Sequence, residues 1–115
     1  MEPKFEVVFL EEAMEFLENL DEKSRVKIIY NIDKSRFVND PKLFKKLTDE
    51  IWEFRTRFNK MQYRLFAFWD KRDEKETLVV STHGIVKKTD KIPKKELEKA
   101  ERLMQEYFDQ DQTAG

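Results

Sequence analysis

Cysteine is absent from this 115-residue chain. Disulfides, thiolate metal sites and cysteine nucleophiles are therefore excluded. A reducing compartment suits such a chain, and a cytoplasmic location is the expectation. A single histidine cannot build a multi-histidine metal centre, and two glycines leave no glycine-rich phosphate loop. No apolar run approaches membrane-spanning length, and Met1-Glu2-Pro3-Lys4 is too polar to open a signal peptide. These absences predict no metal, no cofactor and no membrane partner.

What the chain has in quantity is charge and aromatic rings. Charged residues make up 41% and aromatics 13%, the latter including ten Phe and two Trp. A disordered chain would be poor in aromatics, so one folded domain is expected. The net charge is only −1, but it is unevenly spread. Residues 51–95 carry twelve Lys/Arg against six Asp/Glu, whereas the segments before and after are both net acidic. A basic block inside an acidic chain marks a candidate polyanion site even when the total cancels.

Residues 5–10, Phe-Glu-Val-Val-Phe-Leu, read as a first strand. Residues 11–20 follow with Ala13, Phe16, Leu17 and Leu20 at helical spacing. Asp21 is placed to cap a second helix, whose apolar stripe is Val26, Ile29, Tyr30 and Phe37. Pro41 ends this α-hairpin. The period then changes to two. Residues 51–58 read as a strand with Trp52, Phe54, Thr56 and Phe58 opposite Ile51, Glu53, Arg55 and Arg57. Asn59-Lys60 is a tight turn into a strand over 61–70, and a third strand over 76–83 puts Ser81 and His83 on one face. Pro93 opens a last helix with a stripe of Leu97, Ala100, Leu103, Met104, Tyr107 and Phe108. The expected fold is α+β: one domain over residues 1–108, mainly antiparallel, with a three-strand meander and a polar, frayed tail over 109–115.

A single sheet face could gather Arg55, Arg64 and His83, with Arg57 nearby and Lys87, Lys88 and Thr89 following. Such a set suits cleavage of RNA. Arginine offers a planar fork to phosphate oxygens, lysine a point charge and histidine a mobile proton. The RNA supplies its own nucleophile, the 2′-hydroxyl. By pattern alone, the arginines serve equally as a solvated strand face with ion pairs to Glu53 or Asp70. His83 reads more readily as structural, the lysines as ordinary surface residues, and Trp52, Phe54, Phe66, Phe68 and Trp69 as core.

Three segments carry a resemblance: Ile51-Trp52-Glu53-Phe54-Arg55-Thr56-Arg57, Tyr63-Arg64-Leu65-Phe66-Ala67-Phe68, and His83-Gly84-Ile85-Val86-Lys87-Lys88-Thr89 before Ile92-Pro93. In this order they resemble the RelE/ParE toxin superfamily, and within it the HigB-type, phage-derived toxins. The resemblance implies the toxin of a type II toxin–antitoxin pair. Such a protein cuts mRNA on the ribosome without a metal, by attack of the RNA 2′-hydroxyl. It implies Arg55 and Arg64 at the scissile phosphate, His83 as general acid or base, and Lys46, Arg57, Lys87 and Lys88 as RNA contacts. The implied partners are mRNA on the ribosome and a small helix-turn-helix antitoxin, with DNA reached only through the antitoxin. Other members of the superfamily bind and poison gyrase without cutting RNA, and an inactive relative would act only in autorepression. Both remain alternatives to the nuclease.

Overall fold

The computed structural model describes residues 2–89 and 91–114, with side chains described as far as Gln110. The elements in chain order are β1 (Glu6–Phe9), α1 (Glu11–Glu18), α2 (Glu22–Ser35), β2 (Phe44–Lys46), β3 (Trp52–Phe58), β4 (Met61–Asp70), β5 (Leu78–Lys87) and α3 (Lys94–Ala114). They form a five-stranded sheet of order β1-β5-β4-β3-β2. Every pairing is antiparallel except β1 with β5. The α+β class, the α-hairpin and the meander all match expectation. The short edge strand β2 is an addition. The polar stretch expected to fray from Asp109 is helical backbone as far as Ala114, and Gly115 lies outside the described residues.

Local chemistry accounts for the joints. The backbone N–H of Ser24 donates to the Asp21 carboxylate at 3.1 Å, capping α2 as its sequence suggested. Asn59 and Lys60 have φ of 53° and 66°, the mirror-image turn whose twist suits a two-residue hairpin. Register then follows from that turn: Phe58 faces Met61, and Arg55 faces Arg64. At Gly84 on β5, an added Cβ would lie 2.4 Å from the Phe16 ring. The glycine is therefore what lets α1 approach the sheet this closely.

Helices cover both faces of the sheet. The face under α1 and α2 buries Phe5, Leu17, Ile28, Ile32, Phe44, Phe54, Tyr63 and Leu65. The face under α3 buries Ile51, Phe66, Phe68, Val80 and Ala100, with Leu97, Met104, Tyr107 and Phe108 packed against them. One expectation is overturned here. Val26, Ile29 and Tyr30 do not point inward; Val26 and Tyr30 are about 60% exposed. The buried stripe of α2 is instead Ser24, Ile28, Asn31, Ile32 and Ser35. Hydrogen bonds from the sheet and the helix backbone make this polar choice tolerable. Ser24 pairs with the Tyr63 hydroxyl, Asn31 donates to Thr56, and Ser35 donates to the Ile32 carbonyl.

Candidate functional site

The α3 face of the sheet continues past the helix. There β3 and β4 place Glu53 opposite Phe66, Arg55 opposite Arg64, and Arg57 opposite Gln62. Facing pairs lie about 5 Å apart, so the two arginines are obligatory neighbours. Glu53 sits within reach of both. Its carboxylate is 3.5 Å from Arg55 Nε and 3.3 Å from Arg64 Nε. Glu53 and Arg64 are each only 3% exposed, whereas Arg55 is half-buried and Arg57 exposed.

An open cleft of about 240 Å³ lies over this pair, lined by Lys42, Arg55, Thr56, Arg57, Gln62 and Arg64. Arg64 is held by hydrogen bonds, donating to Gln62 Oε1 and to the Tyr63 carbonyl. Arg55 donates to the Pro41 carbonyl at 3.3 Å. Glu53 Oε1 and Arg55 Nε have no hydrogen-bond partner among the described residues. Burial raises the Glu53 carboxyl above its ordinary value, against the pull of Arg64, Arg55, Lys87 and Lys45. The arrangement is a forked cation pair beside a poised carboxylate. It can hold a phosphodiester and accept a proton next to it.

The remaining basic residues distribute unevenly. Lys87 ends β5 opposite Gln62, is buried, and donates to the Lys91 carbonyl. It is close enough to act on the Glu53 carboxyl. Lys88 is exposed beyond the strand. Lys46 pairs with Trp52 and lines a different cleft, while Lys45 pairs with Glu53 and acts on its carboxyl. Alternation along β2 thus favours Lys45 over Lys46 at the arginine face. Glu53, Gln62, Lys42 and Lys45 join the site beyond the residues singled out in the sequence. The signal for Glu53 was its position two residues before Arg55 on a strand of period two.

His83 reaches the same sheet face, but by a route the sequence did not disclose. A bulge lies in β5 across from Phe66 and Ala67: Ser81 pairs with Ala67, and His83 pairs with Phe66. The extra residue, Thr82, reverses the alternation. Ser81 and His83 therefore do not share a face, contrary to expectation. Without the bulge, His83 would point to the α1 side. His83 is 3% exposed and stacks on Phe66 at 4.9 Å. Its Nε2 donates to Glu96 on α3 at 3.1 Å, which leaves Nδ1 to accept from the Thr82 hydroxyl at 2.9 Å. Burial lowers the His83 pKa, and the Lys99 charge adds to this; Glu96 and Glu12 oppose it. The charges that act on His83 are Lys99, Glu96 and Glu12, a set disjoint from the one that acts on Glu53. The structure thus unites Arg55 and Arg64, and sets His83 in a second, covered cluster.

Tyr107, expected in the core, is partly buried against it, packed edge-on on Phe68 and donating to Asp70 at 2.8 Å. No helix of the described residues is long and apolar enough to cross a membrane. No curated protein shows a significant match to the sequence. A family model does match, over residues 15–105, and by that match the chain belongs to the Gp49-like family of phage-derived proteins (DUF891).

Proposed function

We propose that this protein is the toxin of a type II toxin–antitoxin pair, and that it cuts mRNA on the ribosome by attack of the RNA 2′-hydroxyl. The observation that carries the proposal is the cross-strand Arg55–Arg64 pair on the wall of an open cleft, with the Glu53 carboxylate beside it. Membership of a phage-derived family is in keeping with it, as is the order of the three motifs. Arg55 and Arg64 bind the scissile phosphate and stabilise the charge that builds on its oxygens. Glu53 takes the 2′-hydroxyl proton as the O2′–P bond forms. The P–O5′ bond breaks, and the leaving 5′-oxygen takes a proton from water in the cleft. The products are a 2′,3′-cyclic phosphate and a 5′-hydroxyl, and no metal is needed for this chemistry. Proton transfer is better served by Glu53 than by His83, since both His83 ring nitrogens are engaged under α3. His83 then serves to position α3. Arg57, Lys42 and Lys45 line the RNA path, with Lys87 and Lys88 at its rim.

Mapping of RNA 5′ ends after induction tests this. Discrete cuts within translated mRNA are expected, lost at least tenfold in Arg64→Ala, about 1.4 kcal/mol or more of transition-state stabilisation. Growth arrest with intact mRNA and DNA-damage signalling would instead assign the gyrase-poisoning role.

A further inference from the structure

A second cleft lies beyond the arginine pair, toward the other end of β3. It has a volume of about 590 Å³. Its walls include Trp52, Trp69 and Phe108, and it is also lined by Lys46, Asp49 and Glu50. Trp52 and Trp69 are the two tryptophans of the chain. They meet edge to face at 5.5 Å, and both are only partly buried. Phe54 and Phe66, by contrast, are sealed in the core. The Trp69 indole N–H is shielded and has no acceptor among the described residues. An unmade bond of this kind costs about 1–3 kcal/mol, and an acceptor brought beside the ring would remove that cost.

From these observations we infer that the tryptophan cleft is a nucleobase subsite that fixes which base flanks the scissile phosphate. The inference rests on the RNA-cutting role proposed above. Three features select a base over an apolar peptide side chain. First, indole faces stack on bases of any sequence, each stack strengthening binding several-fold to about a hundredfold. Second, Lys46 on the rim offers a charge to a phosphate, and Lys71 sits 5.0 Å over the Trp69 ring. Third, the cleft is close to the arginine pair around the β2 edge. Trp52 precedes Arg55 by three residues on one strand, about 10 Å away, and so faces the other side of the sheet. A chain leaving the arginines reaches the tryptophans by crossing the edge strand β2, where the exposed Lys45 pairs with Glu53 and the exposed Lys46 with Trp52. Asp49 and Glu50 at the mouth are acceptors only, so they favour a base with an exocyclic amino group. Cytosine presents such a donor where uracil presents an oxygen.

The test uses intrinsic fluorescence, since both emitters line the cleft. Fully 2′-O-methylated RNA pentamers, which cannot be cut, are titrated into the intact protein. Penta-cytidylate is expected to quench tryptophan emission and to bind about tenfold more tightly than penta-uridylate. An abasic residue at one position should abolish the quench. Trp52→Leu should weaken binding about tenfold while Trp52→Phe, which keeps an aromatic face, should retain it. Far-ultraviolet circular dichroism checks the fold of each variant. Pentamers that bind by anisotropy without quenching, or that bind equally whether cytidine or uridine, would overturn the subsite and leave the nuclease proposal standing. No binding at all would overturn the subsite too. Base-dependent quenching in a protein that cuts no mRNA would keep the subsite and remove the nuclease.

Discussion

The Glu53–Arg55–Arg64 cluster and the Thr82–His83–Glu96 cluster lie on one face of one sheet, yet the first puts Arg55 and Arg64 on the wall of an open cleft and the second lies under α3. Both combine a carboxylate with a basic group at about 3 Å. What separates them is α3. Its first turns bring Glu96 onto His83, and Lys99 onto Glu12 of α1 at 2.6 Å. The covering helix supplies the partner of one histidine ring nitrogen, Glu96, while Thr82 of β5 engages the other, so that cluster ties β5, α3 and α1 together. Past the helix, the two arginines line an open cleft instead. The kind of residue does not distinguish a site from a structural lock here; coverage does.

The strongest way to break this comparison is Glu53→Gln against His83→Gln. The first is expected to slow cleavage about 10²-fold, the loss typical of a removed general base. It should also erase the acid limb of the rate profile. That limb belongs above the ordinary carboxylate value of 4.5, because burial raises Glu53. His83→Gln should change the rate less than about threefold and instead cost about 1–3 kcal/mol of stability, through its bonds to Thr82 and Glu96. Single-turnover cleavage on ribosomes and urea unfolding read the two effects. A His83→Gln protein with full stability and no activity would reverse the assignment.

Salt sharpens the comparison next. Arg55, Arg57 and Arg64 make about three phosphate contacts in the proposed complex. Affinity for single-stranded RNA should then fall about 20-fold between about 50 and 200 mM salt. The fall is expected even though the isoelectric point is near 6.0. The covered cluster, shielded from ions, should leave unfolding stability nearly unchanged over the same range. An affinity insensitive to salt would remove the arginine cleft as the RNA site.

Much of this contrast was legible in the sequence, and the illegible part has definite causes. The β3–β4 hairpin follows from strict alternation around Asn59-Lys60, which fixes Arg55 opposite Arg64. The bulge at Thr82 has no comparable signature, since Val79-Val80-Ser81-Thr82-His83 alternates equally well without it. It decides the face of His83 nonetheless. The three residues of β2 are too few to show a period, so Lys46 stood in for Lys45. On α2 two stripes compete at helical spacing. The more apolar one, Val26 with Tyr30, lost because Tyr63 and Thr56 of the sheet offer hydrogen bonds to Ser24 and Asn31. Coverage itself cannot be read from a strand, because it depends on where a helix dozens of residues later comes to rest.

The smallest expected effect is also the one that separates the clusters by observable. A histidine whose pKa is lowered by folding binds its proton more readily when unfolded. Stability should therefore decline as pH falls below about 6.5, the ordinary histidine value, and level off below the folded pKa. Glu53 carries the opposite sign, since a raised carboxylate lowers stability as pH climbs past 4.5. Subtracting the unfolding curve of His83→Gln from that of the parent cancels Glu53 and isolates the histidine step. A third group sets the acid end. Asp70 is held at about 2 by Arg72, with Tyr107 also donating to it. Its contribution of about 2 kcal/mol should persist above pH 3.8 and fade as pH drops toward 2. Arg72→Ala should remove that acid step and leave the histidine step in place. Under this scheme the histidine step belongs to the stability curve alone, whereas Glu53 titrates in the rate as well. A histidine step found in the rate profile instead would place His83 at the reacting atoms and join the two clusters into one site.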